Sequence, residues 1–97
     1  MATFALWVML EAKAGKEAEV AAFLKSAVPL VEAEPGTVAW YALDLGEGRF
    51  GIFDTFDDED GREAHLSGEV AKALLGKADE LLSKPPFINK VGILAEK

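Results

Sequence analysis

Residues 49–74 read RFGIFDTFDDEDGREAHLSGEVAKAL, and a change of period inside this stretch decides the fold. From 49 to 56 the chain is dense in Phe, Ile and Thr, residues that fit a pleated, half-buried surface. Four acidic residues follow at 57–60, the chemistry that favours the positive end of a helix. From 59 to 82 the apolar residues take up helical spacing, with a break near Ser67-Gly68. In the second half Val70, Leu74, Ala78, Leu81 and Leu82 form one stripe. The segment is therefore a strand running into a broken helix.

Working outward, Gly46-Glu47-Gly48 supplies the turn chemistry of a hairpin, and residues 38–45 (VAWYALDL) form the strand on its other side. Before that strand, Glu34-Pro35-Gly36 stops and turns a helix that starts near Lys16. That helix sets Val20, Phe23, Leu24, Ala27 and Val31 on one face, and Pro29 kinks its last turn by removing a hydrogen bond. Residues 3–10 (TFALWVML) are short and apolar on both faces, which describes a strand covered from two sides. After Lys84-Pro85-Pro86, residues 87–95 (FINKVGILA) form a last strand. The order β-α-β-β-α-β predicts an α+β, ferredoxin-like fold: one antiparallel four-stranded sheet with its helices on one face. The other face keeps apolar residues, and a second copy of the chain is the simplest cover for it.

At 97 residues the chain has room for one core, so residues 1–97 are read as a single domain. Seventeen acidic and ten basic residues give a net charge of −7, which opposes binding to nucleic acid or to an anionic membrane. The absence of cysteine removes disulfides, thiolate nucleophiles and Cys-ligated metal centres. One histidine excludes any site built from several imidazoles, and no metal site is expected. The apolar start is too short to span a bilayer and lacks a basic leader, so the cytoplasm is the expected compartment.

Two motif matches dissolve on inspection. Residues 46–51 (GEGRFG) fit G-x-G-x-x-G, but a strand follows where the dinucleotide fingerprint requires a helix. Residues 57–61 (DDEDG) suggest a calcium loop, but with Gly61 at position six the first and last ligands become Phe56 and Ser67. No G-x-S-x-G elbow, P-loop or H-E-x-x-H is present, which disfavours ordinary hydrolysis and phosphoryl transfer.

The residues with chemistry left to assign are few. His65 is the one side chain that titrates near neutrality. It reads either as a structural histidine at a helix–sheet contact or as a general base, with Arg62 one turn earlier. Asp54 lies in an apolar strand, where a carboxylate is costly without a partner. Arg62 or His65 can be that partner, or Asp54 can face a wet edge or a dimer salt bridge. Contact with His65 would orient the imidazole and raise its pKa. Trp7, Trp40, Phe53 and Phe56 are candidate pocket walls as well as candidate core, although strand alternation keeps all four from facing one side.

The strand ending acid-x-aromatic at Asp54 and Phe56, the short acidic helix carrying His65, and the E-P-G turn in residues 34–41 (EPGTVAWY) together resemble the antibiotic-biosynthesis monooxygenase family. The resemblance runs over nearly the whole chain. It implies a homodimeric α+β barrel with two sheets packed face to face. It also implies oxidation of a small aromatic quinol or phenol by O2 without a cofactor. In that reading His65 is the base, Asp54 orients it, Arg62 stabilises the developing anion, and Trp7, Trp40, Phe53 and Phe56 wall the pocket. The family's haem-degrading branch carries an iron-ligating histidine at the position of Leu75, and its sugar-phosphate branch needs cations where only Arg49 and Arg62 are near. Neither branch fits. The alternative of another class is a non-catalytic dimeric barrel that binds a small hydrophobic ligand.

Overall fold

The computed structural model describes residues 2–97. Four strands, β1 (Phe4–Glu11), β2 (Thr37–Gly46), β3 (Arg49–Phe56) and β4 (Phe87–Gly92), form one antiparallel sheet in the order β2-β3-β1-β4. This is the ferredoxin-like arrangement that the element order predicts. The first helical stretch is divided into α1 (Glu17–Ser26) and α2 (Val28–Glu32), with Pro29 in the first turn of α2. There the missing proline N–H costs nothing, because the first N–H groups of a helix have no internal partner. The second stretch is divided into α3 (Glu59–Leu66) and α4 (Glu69–Leu81), with Ser67 and Gly68 at the break.

Register assigns each strand residue to a face. Phe4, Leu6, Val8 and Leu10 of β1 pair with Phe56, Asp54, Ile52 and Phe50 of β3, and this set faces the helices. Val8, Leu10, Phe50 and Ile52 pack there against Val20 and Leu24 of α1 and Leu74 and Leu81 of α4. Each fully buried side chain of this size contributes roughly 1.5–3 kcal/mol relative to exposure. The opposite face carries Trp7 and Met9, Tyr41 and Leu43, Phe53, and Phe87. Tyr41 and Phe87 are each 56% exposed, so no helix of this chain covers that face.

The hairpin between β2 and β3 explains the G-x-G-x-x-G match. Gly46, Glu47 and Gly48 all take positive φ, at 83°, 55° and 76°. Such a turn matches the twist of the flanking strands and selects glycine. The last strand differs from expectation. It ends at Gly92, three residues before the predicted 95, because its partner β1 begins at Phe4. One more bond, Ile93 N–H to Thr3 O, completes the ladder, and Leu94 projects fully into solvent. None of the described helices is long and apolar enough to cross a membrane.

Candidate functional site

Asp54 stands on the helix face of β3, directly opposite Leu6 and Trp40, and is completely buried. A carboxylate in that position needs a compensating charge. Helix α3 brings one across the sheet. Asp58 starts the helix by accepting the Gly61 N–H at 2.7 Å, and Glu59 and Asp60 occupy its first turn. His65 lies in the last turn, where the helix dipole favours a cation.

His65 is held between two carboxylates. Its Nε2 is 2.8 Å from Asp54 Oδ2, and its Nδ1 is 2.5 Å from Glu34 Oε1. The Nε2–H direction lies off Oδ2, so the Asp54 contact is one of opposite charges at short range more than an aligned hydrogen bond. The Phe56 ring lies 5.5 Å from the imidazole, centroid to centroid, and closes off the sheet side. Of the partners open to Asp54 in the sequence, the structure selects His65.

Glu34 is the member of the site that sequence reasoning missed. It sits in the E-P-G turn between α2 and β2, 31 residues before His65. Two glycines bring it there. A Cβ on Gly36 would stand 2.9 Å from the Gly61 Cα, and one on Gly61 would stand 2.8 Å from the Gly36 carbonyl oxygen. The turn and α3 therefore touch backbone to backbone, which only glycine on both sides allows. Thr37 Oγ1 donates to the same Glu34 Oε1 at 2.8 Å and fixes the carboxylate further. Gly36 and Gly61 were the available signal, since a glycine inside a short helix marks a close approach.

The two carboxylates determine the protonation of the imidazole. A neutral ring would turn a lone pair toward a carboxylate oxygen at one nitrogen, whereas the imidazolium donates at both. Burial is the largest single influence on His65 and pushes its pKa down. The hydrogen-bonding and charge interactions of Asp54 and Glu34 together outweigh it, and the pKa lies above the usual 6.5. The side chain is nearly buried, but Glu34 and His65 both reach the wall of an open cleft of about 320 Å³. Leu30, Ala33, Pro35, Ala64, Gly68 and Glu69 are among the other residues of its inner surface.

The other predicted residues divide between two faces. Trp40 and Phe56 share the helix face with Asp54, while Trp7 and Phe53 lie on the opposite face, with the Trp7 ring across Gly51. The four aromatic residues therefore do not wall one pocket. Trp40 Nε1 and Asp54 Oδ1, a donor and an acceptor on directly opposed residues, are both buried without a hydrogen-bond partner among the described residues. Arg62 is buried one turn before His65, but its guanidinium is engaged elsewhere. Its NH1 donates to the carbonyls of Ala5 at 3.4 Å and Val91 at 3.3 Å, its NH2 is 3.7 Å from Glu59, and it lies over the Phe4 ring. These contacts fasten α3 to β1 and β4, while its Nε is buried without a hydrogen-bond partner among the described residues.

Comparison with known proteins places these features in a wider set. A family model described as antibiotic biosynthesis monooxygenase matches residues 3–77. No protein of curated function matches the chain. Among solved structures, NE2512 from Nitrosomonas europaea, a protein of unknown function, is 57% identical, with a TM-score of 0.97 over 100% of this chain and 94% of that one. PA3566 from Pseudomonas aeruginosa is 20% identical, with a TM-score of 0.82 over 98% and 97% of the two chains. Rv0793 from Mycobacterium tuberculosis is 16% identical, with a TM-score of 0.84 over 97% of each chain. At such identities the last two demonstrate a shared fold.

Proposed function

This chain belongs to the antibiotic biosynthesis monooxygenase family, and from that premise we propose that it is a cytoplasmic monooxygenase acting on an electron-rich aromatic molecule of the quinol or phenol type. The observation that supports this reading best is the buried Asp54–His65–Glu34 chain, which opens at one end onto an apolar cleft. The cleft volume falls within the range of about 300–1,000 Å³ usual for small-molecule sites.

In this proposal the substrate is its own reductant and needs no cofactor. A hydroquinone ring and O2 give a hydroxyquinone and H2O: one ring C–H becomes C–OH, both phenolic O–H bonds break as the quinone forms, and the second oxygen atom leaves as water. The protein contributes an apolar enclosure and a path for the proton that the substrate releases before it meets O2. Asp54 holds the imidazole of His65, and His65 in turn holds Glu34 at the cleft, where the proton path begins. Arg62 keeps α3 seated so that His65 stays over Asp54. Trp40 and Phe56 supply apolar surface on the same side. Trp7 and Phe53 are assigned to the contact between two copies of the chain, which pair through the exposed sheet face.

Oxygen uptake by the purified protein with a panel of anthrones and hydroquinones tests the reading. The expected result is uptake above autoxidation, lowered about 100-fold in His65→Gln, the usual scale when the proton-transfer machinery of a site is disabled. Uptake that matches autoxidation with every compound would overturn the enzyme and favour the non-catalytic barrel that binds a small hydrophobic ligand.

A further inference from the structure

The two oxygens of Glu34 are not equivalent. Oε1 accepts from both His65 Nδ1 and Thr37 Oγ1. Oε2 takes neither bond and lies over Gly68, 2.9 Å from the point where a Cβ on that residue would stand. Glu34 and Gly68 both line the cleft, so Oε2 is the acceptor left for an incoming molecule. His65 has no comparable capacity. Its Nδ1 is taken by Glu34 Oε1 and its Nε2 stands 2.8 Å from Asp54 Oδ2, so both ring nitrogens are occupied within the cluster.

The surroundings define what Oε2 can meet. Among the described residues that line the cleft, the ionisable side chains are Glu34, Glu69 and His65; no lysine or arginine takes part. His65 is already flanked by two carboxylates, so the cluster it forms with Asp54 and Glu34 carries net negative charge whether the ring is protonated or neutral. An anionic group entering the cleft would face like charge, with no cation free to pair with it.

Resting on the monooxygenase reading, we propose that Glu34 Oε2 accepts the hydrogen bond of the substrate's hydroxyl and then takes its proton. It follows that the substrate is an uncharged aromatic hydroxyl compound, without a carboxylate or phosphate. In the step itself the O–H bond breaks, its electron pair remains on the substrate oxygen, and the proton passes to Oε2. His65 and Thr37 are positioning residues that hold Oε1 and so aim Oε2. Gly68 is the space that makes room for it.

The test is a ligand titration of the ¹⁵N-labelled protein followed by NMR, with hydroquinone as the neutral probe and 2,5-dihydroxybenzoate as the same ring bearing a carboxylate. Hydroquinone is expected to shift the amides of Gly36, Ala64 and Gly68. The carboxylate analogue is expected to bind about 10-fold more weakly or worse, the scale of a like-charge contact a few ångströms away. Glu34→Gln should remove most of that difference. Gly68→Ala retains the charge but sets a methyl against Oε2, so it should abolish hydroquinone binding at the cleft. Gly68 has φ −85°, a backbone angle that alanine adopts, and the next nearest atom to the added methyl is the Ala64 carbonyl oxygen at 3.2 Å. Equal affinity for the two probes, binding mapped elsewhere, no binding of hydroquinone at millimolar concentration, or full charge discrimination in Glu34→Gln would each overturn the proposal. The titration is separate from turnover. Charge discrimination without oxygen uptake would overturn the monooxygenase reading and leave Glu34 as the binding group. Uptake with an unchanged kcat and pH profile in Glu34→Gln would overturn Glu34 as the proton acceptor and leave the reaction standing.

Discussion

At the scale of single residues, the charge state of His65 ties the stability of the fold to pH. Folding raises its pKa, so the folded protein holds this proton more tightly than the unfolded chain does. The stabilisation is complete below the unfolded value near 6.5 and is lost as pH rises through the higher folded value. Thermal unfolding from pH 5.5 to 9 should therefore show a decline in the wild type that is smaller in Glu34→Gln, where one of the two flanking charges is gone. A parallel decline in both would remove Glu34 from the titration. The same contacts make Asp54 dependent on His65. His65→Ala leaves a fully buried carboxylate without its counter-charge, a loss expected to cost about 3–5 kcal/mol. The double variant Asp54→Ala/His65→Ala should be less destabilised than the sum of the single ones, because it leaves no orphan charge. Denaturant unfolding of the three variants measures that coupling, and additivity would contradict it. His65 and Asp54 stood out in the sequence through their chemical rarity there. The residue that completes the cluster did not, because Glu34 is one of many acids in a chain of net charge −7 and only the folded turn singles it out.

At the scale of elements, the contact between the E-P-G turn and α3 is what assembles the site. Gly61 gives opposite expectations from local and tertiary physics. As a residue inside a helix it should gain about 1 kcal/mol on replacement by alanine, from propensity alone. As a residue whose Cβ would stand 2.8 Å from the Gly36 carbonyl oxygen, it should lose stability, since backbone on the other side cannot step aside. Overpacking of this kind typically costs about 1–3 kcal/mol, so Gly61→Ala is expected to be destabilised. It should also move the His65 ring signals as Glu34 is pushed away. A stabilised variant would mean that the turn and helix do not touch. The elements themselves were legible from period and punctuation. Ser67-Gly68 marked one helix break, Pro29 marked as a kink what the structure makes a break at Ala27, and the hairpin glycines marked the turn. The end of β4 was not legible, because residues 93–95 keep strand-like composition and stop pairing only where β1 has no more residues to offer. The approach of the turn to α3 was hidden for the same reason: it is a meeting of two distant segments, and no local pattern encodes its partner.

At the scale of the whole molecule, the sheet has one face covered by helices and one exposed. Trp7, Tyr41, Leu43, Phe53 and Phe87 share the exposed face, and their contiguity argues for a cover that the chain does not itself supply. A two-fold pairing satisfies this with the same patch on both copies. Electrostatics opposes the association, since each copy carries a net charge of −7. The face that would meet is mostly uncharged, so the repulsion acts between charges around it and is screened over a Debye length of about 8–10 Å. Sedimentation should therefore give a mass of twice 10.4 kDa, with dimer affinity rising as salt is added. Leu43→Glu places a carboxylate on the exposed face of β2, where its side chain is partly solvated in the single chain. It should leave the fold of each copy intact and shift the population to monomer, because a desolvated unpaired charge opposes the contact directly. A wild-type monomer at high salt, or a dimer untouched by Leu43→Glu, would assign the apolar face to some other partner. The Asp54–His65–Glu34 cluster on the helix side would remain as it is, since all three residues belong to one copy.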